Sequence, residues 1–182
     1  ISLDSSVEII KIKDTPDDHI FIAYSTKLGP VVSNLEKTGF VNNQKFRTDN
    51  TDEILTFRWT GYEFSDELET FYNINNAANW NDFKNALKSF GTPGLNFVFA
   101  DTSGNIGYHT AGLIPARQKL SDENNALYPF SLEEDWSGFI PFEELPESYN
   151  PKEGYIVTAN NKPLKNYKHY ISNLYEPHYR AE

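Results

Sequence analysis

Residues 95–115, LNFVFADTSGNIGYHTAGLIP, carry the reading that decides the fold. Leu95–Ala100 is short, aromatic and branched, and reads as a strand. DTSGN follows as a tight turn, which Asp101 opens with ordinary turn chemistry and in which Gly104 supplies a positive φ. Residues 106–114 then read as the return strand. The stretch predicts an antiparallel hairpin in the middle of the chain.

Upstream of the hairpin the hydrophobic period is helical. SDELETFYNINNA places Ser65 as the predicted N-cap, acidic residues in the first turn, and Leu68, Phe71 and Tyr72 on one face. Asn79 is the predicted cap of a second helix, whose stripe Trp80, Phe83, Leu87 and Phe90 reads as core, and which Gly91 and Pro93 stop. The two helices form a predicted αα-hairpin. Residues 1–60 read as β: 7–13 alternate, DTPDD (14–18) turns, HIFIAYST (19–26) is a strand, LGPVVS (28–33) bends into a short strand, and ILTFRWT (54–60) is another. Residues 36–52 read as a long loop or hairpin, 116–135 as a polar surface excursion, and 136–151 as an ordered loop with aromatic anchors. YIVTANN (155–161) begins as an apolar strand and ends in two adjacent amides, which either make a turn or aim a side chain at a site.

Composition limits the function classes. The 182 residues are 38% apolar and 15% aromatic, too aromatic for a disordered chain despite a net charge of −10. With 16 Lys and Arg against 26 Asp and Glu and no basic run, nucleic acid is not an expected partner. No apolar run approaches the ~20 residues of a membrane span. The absence of cysteine excludes disulfides and thiolate metal sites. The chain holds no Met, shows no signal peptide and opens at Ile1 in strand-like sequence, so a mature product or excised piece is expected. The four histidines, His19, His109, His169 and His178, never stand three or four residues apart, so no local His pair offers a metal site. No GxSxG elbow, P-loop or HExxH is present.

Four segments occur together in order: LTFRWTGYEFSDEL with NWNDFKNAL, LNFVFADTSGNIGYHTAGLIPAR, GFIPFEELPESYNPKEGYIVTANNKP, and YISNLYEPHYRAE. In these the chain resembles an internal segment of the β subunit in the penicillin acylase family of N-terminal nucleophile hydrolases. The resemblance is best from about Ile54 onward. It implies an α+β fold, a partial αββα sandwich over residues 53–182 made mainly of antiparallel sheet plus the αα-hairpin, with a small all-β subdomain over 1–52. It also implies a parent hydrolase of linear amides, such as a β-lactam side chain, an acyl-homoserine lactone or an N-acyl amino acid. In such enzymes self-cleavage exposes a serine whose own α-amine, with an unperturbed pKa near ~8, acts as base.

Residue by residue, the resemblance implies that Asn160 donates to the oxyanion and that Arg180 orients the site. Leu95 and Trp59 match substrate-pocket positions. The departures are equally specific. Ile1 has no hydroxyl, and Ser2, Ser5 and Ser6 lack the family's context, so the nucleophile is expected outside these residues and the chain alone is expected to be inactive. A family HGP is here Leu28-Gly29-Pro30; the family's calcium ligands lie mostly upstream and His169 falls near an expected carboxylate, so no metal is expected, and no cofactor. The expected partners are a small-molecule amide and the remainder of the acylase, namely the α subunit and the first part of the β subunit. Exposed strand edges lead to expected self-association, and the family to a periplasmic or secreted location. The rival class is a non-catalytic extracellular binding module for a sugar or peptide.

Overall fold

The computed structural model describes residues 2–32, 56–117, 136–164, 166–172 and 175–182. The chain divides into two compact units, Ile1–Trp59 and Thr60–Glu182. Loops expected at 36–52 and over most of 116–135 lie outside the described residues, as does the start of the strand expected at 54–60.

In the first unit β1 (Asp4–Ile10) pairs antiparallel with β2 (His19–Thr26), and β2 with the two-residue β3 (Gly29–Pro30). Val7 faces Ile22 and Ile9 faces Ile20 across the ladder, so branched side chains line one face. These four remain exposed, which leaves the ribbon without a buried face of its own among the described residues. Thr56 makes a single bridge to Val31, and 57–59 carry no ladder. Of the strand expected over 54–60, the described residues from Thr56 on show only that bridge, and Thr60–Tyr62 already form a 3-10 turn.

The second unit opens with α1 (Glu67–Asn75) and α2 (Trp80–Ala86), the expected αα-hairpin. Asn79 caps α2 as expected, its side chain accepting the Asp82 N–H at 3.0 Å. The cap of α1 is Asp66, which accepts from the Glu69 N–H at 2.8 Å, and not Ser65. The Ser65 hydroxyl instead donates to Glu67 Oε1 at 2.6 Å. The same oxygen accepts the N–H groups of Gly91 (3.1 Å) and Thr92 (3.0 Å), so Glu67 clasps the start of α1 to the chain leaving α2. These donors pull its pKa down to about 2, the Ser65 hydroxyl most strongly.

The face of α1 also differs from expectation. Thr70 is fully buried and donates to the Asp66 carbonyl, while Leu68 and Tyr72 are exposed. Phe71 reaches Phe90 edge-on at 6.1 Å. The stripe on α2 behaves as read: Phe83, Leu87 and Phe90 join Ala111 in the buried core, with Trp80, Phe97, Phe99 and Phe142 packed around them.

The hairpin is β4 (Leu95–Ala100) and β5 (Ile106–Ala111), antiparallel in the register Leu95 with Ala111 to Ala100 with Ile106. Gly104 sits at φ +83° in the turn. Asp101 accepts the Ser103 and Asn105 N–H groups and the Asn105 amide, and that amide first of all lowers its pKa. β5 ends three residues earlier than expected, because Leu113 turns its N–H to the Gly91 carbonyl at 2.7 Å. A third strand, β6 (Glu147–Tyr149), pairs with β5 inside the stretch read as loop. Asn150 extends this pairing with its side chain, accepting the Ile106 N–H at 2.9 Å. Trp80 lies over Gly107, where a Cβ would stand 2.3 Å from its ring, and stacks on Tyr149 at 5.2 Å. Among the described residues no helix is long and apolar enough to cross a membrane.

Candidate active site

Alternation along the second sheet sorts its two faces. Phe97 and Phe99 turn toward the helices, where His109 stacks on Phe142 at 4.4 Å. Asn96 on β4 with Tyr108 and Thr110 on β5 belong to the opposite face. There Asn96 Oδ1 lies 2.8 Å from the Tyr108 hydroxyl and 3.1 Å from that of Thr110. The two hydroxyls are 2.8 Å apart. Burial pushes the Tyr108 phenol above its ordinary pKa, so it stays a neutral donor.

The 154–163 segment runs along this polar face and encloses an open cleft of about 140 Å³, lined by Asn96, Tyr108, Ser148, Tyr155, Thr158 and Asn161 among others. The strand expected at 155–157 does not form. Among the described residues no backbone hydrogen bond holds 155–158, and the contact to the sheet is made by a side chain, Asn96 Nδ2 donating to Thr158 Oγ1 at 2.9 Å. The segment therefore lies across a sheet face and not along an edge.

The two amides at its end differ in what they do. Asn161 is the turn residue: its Oδ1 accepts the Ala159 N–H at 2.9 Å. Asn160 sits at φ +60°, and its carbonyl accepts the Glu176 N–H at 2.9 Å. Its side chain is exposed and makes no hydrogen bond among the described residues. Asn tolerates this left-handed conformation better than most residues.

Arg180 closes the 3-10 turn His178–Arg180 and pairs with Glu176, Nη1 to Oε1 at 3.2 Å. Glu176 therefore links Asn160 to Arg180, one through its backbone and one through its carboxylate. Leu95 begins β4, 41% exposed and directly before Asn96. Trp59 belongs to the first unit, where its ring lies 6.4 Å from Phe57. His169 bonds Glu144 at 2.6 Å, and Lys168 reaches the same oxygen at 2.8 Å; Lys168 first and His169 second hold that carboxyl below its usual range. Sequence reasoning missed Asn96, Tyr108, Thr110 and Thr158. The available signal was polar residues at alternate positions of a hairpin, opposite the phenylalanines.

The family model for penicillin amidase matches residues 2–182. The chain belongs to the penicillin amidase family. It is 35% identical over 131 residues to the penicillin G acylase of Escherichia coli, which covers 70% of the chain and 15% of that protein. It is 31% identical over 119 residues to an acyl-homoserine lactone acylase, QuiP, of Pseudomonas fluorescens, covering 63% of the chain and 14% of the relative. A solved thermostable penicillin G acylase from Alcaligenes faecalis superposes with a TM-score of 0.72 at 25% identity, covering 98% of this chain and 29% of that one. The chain thus spans less than a third of the acylases it matches. The α+β reading, with its antiparallel sheets and few helices, agrees with this penicillin amidase likeness.

Proposed function

We propose that the protein carrying this chain hydrolyses a linear amide, of a β-lactam side chain, an acyl-homoserine lactone or an N-acyl amino acid. A serine outside these 182 residues attacks the carbonyl, and Asn160 donates its side-chain N–H to the oxyanion that forms. The observation that carries this reading is the state of Asn160: its carbonyl is tied down while its amide is exposed and, among the described residues, unbonded. A donor already in place needs little reorganisation when charge develops, which is where such groups act most strongly.

Arg180 fits a positional role beside it. The Glu176 carboxylate offsets much of the guanidinium's field, so Arg180 chiefly holds the turn that carries Glu176. Leu95 is proposed for the acyl pocket. The rest of the acylase is the proposed structural partner. Leu68 and Tyr72, one turn apart on α1, and Phe64 just before its cap are at least 70% exposed, which supports coverage by further polypeptide.

The deciding assay uses the full-length protein on phenylacetyl and long-chain acyl 4-nitroanilides, beside Asn160→Ala. The variant is expected to lose about 10²- to 10³-fold in kcat. Equal turnover by both proteins removes Asn160 from the mechanism, and the 182-residue chain alone is expected to turn over neither amide.

A further inference from the structure

We propose that Asn96 is a positioning residue for the Asn160 amide, acting through Thr158; this rests on the function proposed above. Three pins hold the end of the 154–163 segment. Asn96 Nδ2 holds Thr158, the Asn161 side chain holds the Ala159 N–H, and the Glu176 N–H holds the Asn160 carbonyl. The second is internal to the loop and fixes its shape but not its place. The third joins it to the Glu176 turn. The first is the one that ties the loop to the second sheet, because 155–158 make no backbone bonds among the described residues.

Asn96 is suited to this role by its own surroundings. It is the second residue of β4, where its backbone is in the β4–β5 ladder opposite Thr110. Its side-chain oxygen faces two hydroxyls that also face each other. Both hydroxyls can donate only to an acceptor, so the amide oxygen is held toward them and the Nδ2 is turned the other way. The Nδ2 that leaves this triangle meets Thr158 Oγ1, two residues before Asn160. Sheet rigidity is thereby carried to the oxyanion donor through one side-chain bond, and Tyr108 and Thr110 set the angle of that bond.

The test is a double-mutant cycle in the full-length protein with the same two nitroanilides. Thr158→Val removes Oγ1 at constant shape and is expected to lower kcat about tenfold, as a displaced catalytic group does, with KM little changed. Thr158→Ser restores most of the rate because it returns the acceptor. In an Asn160→Ala background, Thr158→Val is expected to cost nothing further, since the group it positions has gone. If Thr158→Val costs the same in both backgrounds, or Thr158→Ser fails to restore kcat, the positioning role is overturned while the Asn160 role stands. If Asn160→Ala turns over like the unaltered protein, or the unaltered protein hydrolyses neither amide, the oxyanion reading fails and this inference falls with it.

Discussion

The peptide N–H of Glu176 donates to the carbonyl of Asn160 at 2.9 Å, joining two segments sixteen positions apart that share no ladder among the described residues. Through the Glu176 carboxylate the same residue reaches Arg180 at 3.2 Å. An exposed pair of this kind contributes about 0–1 kcal/mol. Arg180→Ala is therefore expected to leave the melting temperature within a degree or two while lowering kcat in the full-length enzyme. A large loss of stability with unchanged kcat would show a purely structural residue.

Backbone strain and side-chain chemistry at Asn160 are separable. At φ +60° a glycine adopts the conformation freely, while alanine costs about 1–2 kcal/mol. Asn160→Gly is expected to match the unaltered protein in denaturant titrations but to lose kcat as Asn160→Ala does. Asn160→Ala should be less stable than both. Retained kcat in Asn160→Gly points to loop shape as the requirement, not the amide.

The Glu67 clasp makes part of the stability depend on pH. Its carboxyl titrates at about 2 in the fold against 4.5 in the free group. The stabilisation is fully present above pH 4.5 and is lost as pH falls toward about 2. Glu67→Gln keeps an acceptor but not the charge, and is expected to cost about 1 kcal/mol at neutral pH. Thermal melts should show the gap between the two proteins closing with acid. A gap of constant size across that range means the charge is not involved.

His109 responds to acid in the same direction for a different reason. Its Nδ1 bonds the Thr110 carbonyl and therefore carries the proton. Its Nε2 is buried with no hydrogen-bond partner, 3.7 Å from Glu147 Oε2. Burial lowers the imidazole pKa, outweighing the Thr110 carbonyl and Glu147, which favour the proton, while Lys84 opposes it. The unfolded chain thus protonates first as pH drops below about 6.5, and the fold loses stability from there down to the lower folded value. His109→Phe is expected to flatten the fall in melting temperature between pH 7 and 5.5. An equal fall in both proteins assigns the sensitivity to other groups.

Exposed Leu68 and Tyr72 on α1, with exposed Phe64 just before its cap, predict association of the isolated 182-residue chain. Sedimentation at high concentration is expected to show dimers or larger species, reduced by Leu68→Lys with Tyr72→Lys. A clean monomer before any substitution contradicts this expectation.

Features set by neighbours in sequence were legible in advance. The 95–111 hairpin, its Asp101 and Gly104 turn, β2, the Asn79 cap and the aromatic stripe of α2 all depend on periodicity or on contacts a few residues long. The family motifs likewise pointed to Asn160 and Arg180, without showing what held them. The three-residue β6 was too short to show a period. The 155–157 stretch had strand composition, but it lies across a sheet face, where side chains and not backbone groups meet the sheet. Ser65 and Asp66 are both good caps, and only the approach of Gly91 and Thr92 to Glu67 decided which of them was left free to cap.

By itself, then, the sequence determined which segments can be strand or helix, because backbone preference and hydrophobic period are local properties. Tertiary structure alone decided which of two adjacent amides is spent on a turn and which stays available. That choice rests on Glu176, which bonds the Asn160 carbonyl 16 positions away, and on Asn96, which bonds Thr158 62 positions away; both hydrogen bonds exist only once the chain has folded.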